Sequence, residues 1–261
     1  MTTHQGPVLI AKAGHIASIE IHRREHRNSL SQATVNLLAE AFRSVGADPA
    51  IRCVVLRGAG EEAFCAGADL SELAAHPDAE SRRAFFESIA SLVEEIHRCP
   101  IPVVASVHGY ALAGGCGLAA ACDIALAADD AIFGLPEVGI GLAPLVVMGP
   151  ISRSVALKRL SWLAMSAERI SAPQALEAGL ISAVFPKSSL DAETLKLCTR
   201  LCQQGPAALR ATKAALVGLA GPQYLSSLRD LADRSALTSV GEEAAEGIQA
   251  FKEKRAPSWR P

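Results

Sequence analysis

Aromatic side chains are scarce in this chain, with seven Phe, two Tyr and two Trp among 261 residues. Its core must therefore be assembled mostly from Ala, Leu, Val and Ile. An excess of either charge is also lacking: the formal net charge of −2 offers no bulk attraction to a polyanion, which excludes nucleic acid as an expected partner. No apolar run is long enough for a bilayer. The most apolar stretch, 99–128, is interrupted by Pro102, His108, four glycines and Asp123, whereas a span needs about 20 uninterrupted apolar residues. The N-terminus lacks the basic segment and apolar core of a secretory signal. Around the seven cysteines (Cys53, Cys65, Cys99, Cys116, Cys122, Cys198 and Cys202) no histidine pair stands at a spacing that completes a zinc site. They read as reduced, structural thiols, several of them inside apolar stretches. The expectation is a cytoplasmic chain with no metal, no membrane and no nucleic acid.

The length is ample for a full core and sits at the upper end for one domain. Val8–Lys12 and Ile16–Ile21 read as paired strands. Val35, Leu38, Phe42 and Val45 recur at helical spacing after Leu30 and Ser31, and Phe85, Ile89, Leu92 and Ile96 do so in a second helix that stops before Pro100 and Pro102. Strands are expected at 53–57, 103–107, Ile124–Ala127, Ala131–Phe133 and Ile181–Phe185. Gly115–Cys122 reads as a short buried helix, Gly134–Pro144 as turn, and Ser171 as the cap of a helix ending at Gly179. From Leu190 onward the pattern is helical, punctuated by Gly205-Pro206 and Gly221-Pro222. The alternation gives an α/β fold with a C-terminal helical region. No sequence repeat stands out.

Two loops of small residues follow buried-looking strands: Ala63-Phe64-Cys65-Ala66-Gly67-Ala68-Asp69 after 53–57, and His108 to Gly117 after 103–107. Residues without bulk let the backbone approach a ligand and aim its N–H groups at it. The first loop runs into Asp69-Leu70-Ser71-Glu72, which reads as a helix start. The second places Gly114 and Gly115 at the start of the short helix, where N–H groups are free and the dipole is positive. The backbone N–H groups of Ala66 and Gly114 are the expected pair of donors to one oxygen, the arrangement of an oxyanion hole.

Here the motifs resemble a known family. Phe64-Cys65-Ala66-Gly67-Ala68-Asp69-Leu70, Gly109-Tyr110-Ala111-Leu112-Ala113-Gly114-Gly115-Cys116, Cys122-Asp123-Ile124 and Phe133-Gly134-Leu135-Pro136-Glu137 match the crotonase (enoyl-CoA hydratase/isomerase) superfamily in order and spacing. The resemblance runs from Arg27-Asn28-Ser29-Leu30 through Ala178-Gly179-Leu180-Ile181 to Ala250–Arg255. It implies an acyl-CoA substrate with coenzyme A as part of it, no separate cofactor, a core spiral of ββα turns over 1–189, and a homotrimer or dimer of trimers. The helical region 190–261 would serve oligomerisation and cover the site. Glu137 matches the glutamate that moves a proton to or from substrate, while Ala66 and Gly114 would hold the thioester oxygen as an enolate forms. Its neighbours Phe133, Leu135, Val138 and Ile140 predict a partly desolvated carboxyl with a raised pKa. Cys65, Ala68, Asp69, Leu70 and Gly117 are assigned to the walls of the substrate site, and Arg24 and Lys254 to contacts with coenzyme A.

One departure from the pattern matters. Two-acid hydratases carry a second glutamate directly after the Gly-Gly-Cys stretch, and this chain has Gly117 there. With one carboxylate, three routes stay open: hydration of a 2-enoyl thioester (branched or carboxylated substrates included, as the Gly141-Leu142-Ala143-Pro144 run suggests), a 3-enoyl to 2-enoyl shift, or the dihydroxynaphthoyl-CoA synthase pattern, in which glycine leaves room for an anion. Hydration is slightly favoured. A rival from another class is an acyl-CoA-binding protein without turnover.

Other signals are weaker. Gly115-Cys116-Gly117-Leu118-Ala119-Ala120 fits a dinucleotide fingerprint with Glu137 about twenty residues on, but the glycines do not directly follow a strand. Asp69 reads as a helix N-cap and Asp123 as structural, His108 as a supporting histidine, and Cys65 and Cys116 as packing residues rather than nucleophiles. Lys254 and Arg255 equally suit a helix C-terminus.

Overall fold

The computed structural model describes residues 2–221 and 223–259; Met1, Pro222, Arg260 and Pro261, which fall within the expected 1–189 and 190–261 segments, lie outside the described residues. The chain opens with strands β1 (Thr2–Gln5), β2 (Val8–Ala13) and β3 (Ile16–Ile21), then helix α1 (Gln32–Ala47). Ser31 caps α1 by accepting from the N–H of Thr34, and Val35, Leu38, Phe42 and Val45 are all buried along one face. There follow β4 (Cys53–Gly58), β5 (Ala63–Cys65), α2 (Leu70–Ala75) and α3 (Ala79–Arg98). Next come β6 (Val103–Val107), β7 (Tyr110–Leu112), α4 (Gly114–Ala121), β8 (Ile124–Ala128) and β9 (Ile132–Gly134). Then α5 (Leu145–Ile151), α6 (Leu157–Ser166), β10 (Arg169–Ser171), α7 (Ala172–Glu177) and β11 (Ala183–Phe185) lead to helices α8 (Leu190–Cys202), α9 (Pro206–Gly218), α10 (Tyr224–Ser239) and α11 (Glu242–Lys252).

Strands are dealt alternately to two sheets. The large sheet has the order β1-β2-β3-β4-β6-β8-β11, parallel from β3 to β11, and the small one the order β10-β9-β7-β5, parallel except for β10. Thus β4 and β5, β6 and β7, and β8 and β9 each give one strand to either sheet before the chain turns into a helix. That is the expected spiral of ββα turns. The repeat is geometric, carried by different side chains in each turn, which is why no repeat shows in the sequence.

The large sheet is covered on both faces. On one side α1 and α3 bury Phe42, Phe85 and Leu92 against Ile19, Val54 and Leu56; on the other, Leu190 and Cys198 of α8 pack on Cys53, Val55 and Val104. Two-sided burial explains the nearly continuous apolar runs of β4 and β6. The C-terminal helices share the main core, since Leu228, Ala232 and Ala236 of α10 and Ala244 and Ile248 of α11 are buried within it. Asp123 is structural: its carboxylate accepts from the N–H of Val103 at 2.8 Å and pairs with the buried Lys213 of α9 at 2.7 Å.

Two expectations are revised. Parts of the two loops are three-residue strands, β5 and β7, too short for side-chain alternation to betray them. Ser171 caps α7 with Gln174 in a reciprocal pair, but the following strand begins at Ala183 rather than Ile181.

Candidate active site

The small sheet assembles the site. Its three strands β5, β7 and β9 run parallel, Ala63 beside Tyr110, Cys65 beside Ala111 after a one-residue bulge, and Leu112 beside Gly134, so their C-terminal ends deliver Ala66–Ala68, Ala113-Gly114 and Pro136-Glu137 to the same place. Ligands gather at the carboxyl ends of parallel strands for this reason. A cavity of about 300 Å³ opens there, walled by Ala66, Ala68, Leu70, Gly114 and Glu137 among the expected residues.

Close backbone approach requires the glycines. Gly67 has φ +97°, and a Cβ on it would stand 2.6 Å from the Cβ of Ala113 and 3.4 Å from the nitrogen of Gly114. A Cβ on Gly115 would collide with the carbonyl oxygen of Cys65. The two loops are therefore pressed against each other. Ala113, which precedes α4, is itself held at φ 51°, a conformation costly for a residue with a side chain.

The donor expected in the first loop needs correction. The N–H of Ala66 is spent on the carbonyl of Arg27 at 3.1 Å, and that of Asp69 on Leu30 at 2.9 Å. Among the described residues no hydrogen bond takes up the N–H of Ala68 or of Gly114, and both residues line the cavity. Gly114 begins α4, whose first N–H groups have no partner within the helix. The free pair is Ala68 and Gly114.

Glu137 begins a single 3-10 turn, Glu137–Ile140, ended by Gly141 at φ +69°. Its Oε2 is buried without a hydrogen-bond partner. Burial pushes the carboxyl from 4.5 up to about 8, with only its own backbone N–H pulling the other way. An uncompensated buried carboxyl is costly, and a carboxyl so perturbed in a cavity is a candidate functional group.

The remaining expected residues lie outside the cavity wall. Cys65 and Cys116 are buried thiols pushed up to about 12 by desolvation, in keeping with packing rather than nucleophilic roles. Asp69 caps α2 through the N–H groups of Ser71 and Glu72 and pairs with Arg23 at 2.9 Å, so its carboxylate is held below the usual range. Arg24 lies against Gly60, and Lys254 is exposed beyond α11 at φ 55°; neither lines this cavity, to which α11 contributes Phe251. Gly117 faces Val147 of α5 and leaves no open space for an anion there. The dinucleotide reading fails on geometry: β7 does lead into α4, but Gly115 is pressed against the carbonyl of Cys65 and Gly117 against Val147, which leaves no room for a pyrophosphate. His108 is buried with Nε2 unpartnered and is absent from the cavity wall.

Several wall residues are new as individuals, although segments 71–90 and 141–150 are expected to supply pocket wall. Arg27 and Glu62, paired at 2.6 Å, and Arg169, whose guanidinium stands 5.7 Å from the Tyr110 ring centroid, form an exposed charged rim. Phe86 and Ile89 of α3 and Val146 of α5 supply apolar wall. Arg27 and Tyr110 belong to motifs that were read, whereas the others reach the site only through tertiary packing.

Comparison with known proteins agrees with this fold. The family model described as Enoyl-CoA hydratase/isomerase matches residues 11–261. The chain is 32% identical over 251 residues to a crotonyl-CoA hydratase of Syntrophomonas wolfei, covering 95% of each chain. It is 31% identical over 254 residues to the 2,3-dehydroadipyl-CoA hydratase of Escherichia coli K12, covering 97% of this chain and 98% of that one. A crystal structure of an enoyl-CoA hydratase from Mycobacterium avium superposes with a TM-score of 0.87 at 32% identity, covering 98% of this chain and all of the other.

Proposed function

Because the chain belongs to the enoyl-CoA hydratase/isomerase family and has its crotonase fold, we propose that Glu137 alone moves the proton in an acyl-CoA reaction whose enolate oxygen is held by the N–H groups of Ala68 and Gly114. The family assignment makes it an enzyme of enoyl-CoA hydratase or isomerase type. The observation that carries the residue assignment is the buried, unpartnered Oε2 of Glu137 in the cavity where the two free N–H groups also lie.

In hydration of a 2-enoyl thioester, the Glu137 carboxylate takes a proton from water as the water oxygen bonds to C3. The electron pair moves through C2 onto the thioester oxygen, and Glu137 then returns its proton to C2. Each N–H donor to that oxygen contributes on the order of 3 kcal/mol to transition-state stability. Coenzyme A arrives as part of the substrate, and the scheme calls on no metal or nicotinamide. The names of the hydratase relatives favour this route, and the dehydroadipyl relative extends it to acyl chains with a distal carboxylate.

A second reading is a 3-enoyl to 2-enoyl shift, in which Glu137 takes a proton from C2 and returns it to C4. It is favoured by one observation: the only other carboxylate among the cavity residues is Glu62, tied to Arg27 at the rim. Incubation with 2-enoyl and 3-enoyl thioesters in deuterated water, with and without a distal carboxylate, separates the two by product. Glu137→Gln should lose about 100-fold or more on every substrate that is turned over. Full activity in that variant would remove Glu137 from the mechanism.

The cytoplasm is the compartment this reading adopts, supported by seven unpaired cysteines, six of them buried. Among the described residues, no helix is long and apolar enough to cross a membrane.

A further inference from the structure

Helix α4 spends a glycine in its interior, where the residue is disfavoured against alanine, and the backbone there does not need one: Gly117 has no positive φ. What needs the glycine is Val147. A Cβ on Gly117 would stand 3.0 Å from the Cβ of Val147 and 3.2 Å from its Cγ1, closer than ordinary van der Waals contact. Val147 of α5 is thus seated in a notch in α4, three residues beyond Gly114 of the N–H cradle. It is 5% exposed and lines the same cavity as Glu137 and Ala68. Val146, beside it in α5, lines the cavity as well, so the wall that α5 contributes here is hydrocarbon; the Ser235 and Ser239 hydroxyls of α10 also line the cavity, and they donate to the helix carbonyls of Leu231 and Ala236.

The two reactions open to Glu137 differ in what they ask of this wall. A proton shift between C2 and C4 needs no water. Hydration needs a water held at C3, and Glu137 can accept only one of its hydrogens. The other must find an acceptor in the wall or be left unpaired in an apolar site, which is costly. We propose that Val147 sets the outcome of the reaction, holding hydration down relative to the double-bond shift by denying the water a polar anchor on the wall where α5 meets Gly117 of α4. This rests on the reading of Glu137 as proton carrier.

Val147→Thr is the direct test, because threonine keeps the shape of valine and adds a hydroxyl. The ratio of hydrated to isomerised product, measured from 2-enoyl and 3-enoyl thioesters, should rise at least about 10-fold in Val147→Thr. It should stay within about twofold of the parent in Val147→Ala, which opens space without polarity. Gly117→Ser combined with Val147→Ala brings a hydroxyl to the same spot from α4 and should raise the ratio likewise; it decides the matter if Val147→Thr does not fold. An unchanged ratio in a folded polar variant overturns the proposal, as does an equal rise in Val147→Ala. Glu137→Gln in the same assay separates the two layers. If it abolishes both products while the polar variants leave the ratio unmoved, only the role of Val147 falls. If both products survive it, the role of Glu137 falls and that of Val147 with it.

Discussion

Glu137 folds most comfortably as an acid but must start the reaction as its carboxylate, and this conflict can be measured. In the unfolded chain its proton is lost near the ordinary 4.5, while in the folded protein burial keeps it until about 8. Between those values the folded state binds more protons than the unfolded one, so this group's contribution to stability falls as pH rises through that window. Glu137→Gln removes the titration. The variant should melt above the parent at pH 9, by about 2–4 °C for each kcal/mol released, with the gap closing toward pH 4.5. Equal melting temperatures throughout would mean that the carboxyl is solvated. Activity should run the opposite way, with kcat/KM rising through an apparent pKa near 8 as the carboxylate forms. At this scale Glu137 and Gly114 were legible because a motif and a helix start announce them. The exchange of Ala66 for Ala68 was not, because it depends on a carbonyl at Arg27 that only the folded chain brings within 3.1 Å.

The elements hold the site by contacts that glycine alone permits, and not every glycine is such a contact. Gly115 at the start of α4 touches the carbonyl of Cys65, whereas Gly218 at the end of α9 has nothing within 4 Å of where a Cβ would stand. Gly115→Ala should push α4 off the loop after β5, separate the two N–H donors, and lower kcat/KM by about 100-fold or more, the cost of losing one oxyanion donor. Gly218→Ala should leave activity unchanged and raise stability by about 0.5–1 kcal/mol, by restricting the unfolded chain and favouring the helix. Chemical denaturation with parallel kinetics checks both, and equal effects at the two positions would refute the distinction. The long elements were readable from periodicity: α1 and α3 carry wide apolar faces, and β4 and β6 are apolar but for Arg57 and Ser106. Helix α5 was not, because Pro144, Gly149 and Pro150 in and around it read as turn residues. The segment 141–150 is expected to supply pocket wall, but the place of Val147 on that wall was hidden with the helix.

Across the whole molecule, the surface of α6 is the feature that a solitary chain leaves unexplained. Leu157 is 76% exposed, Trp162 54% and Met165 74%, all on one ten-residue helix. A soluble monomer seldom gathers large apolar side chains this way, and such a patch marks an association surface. Helix α6 also packs against the Glu137–Ile140 turn, so whatever covers its outer face steadies the turn that carries the proton. This supports self-association of the chain, with the site depending on assembly, and puts the expected homotrimer or pair of trimers to a direct test. Light scattering of the parent should give three or six chain masses. Leu157→Glu combined with Met165→Glu should shift it toward one, by placing two charges where burial must exclude water. Because the chain's own cavity walls remain, the dissociated variant should still bind an acyl-CoA thioester while kcat falls, as the turn bearing Glu137 loses its backing. A monomeric parent, or a dissociated variant with unchanged kcat, would sever the link between assembly and the site.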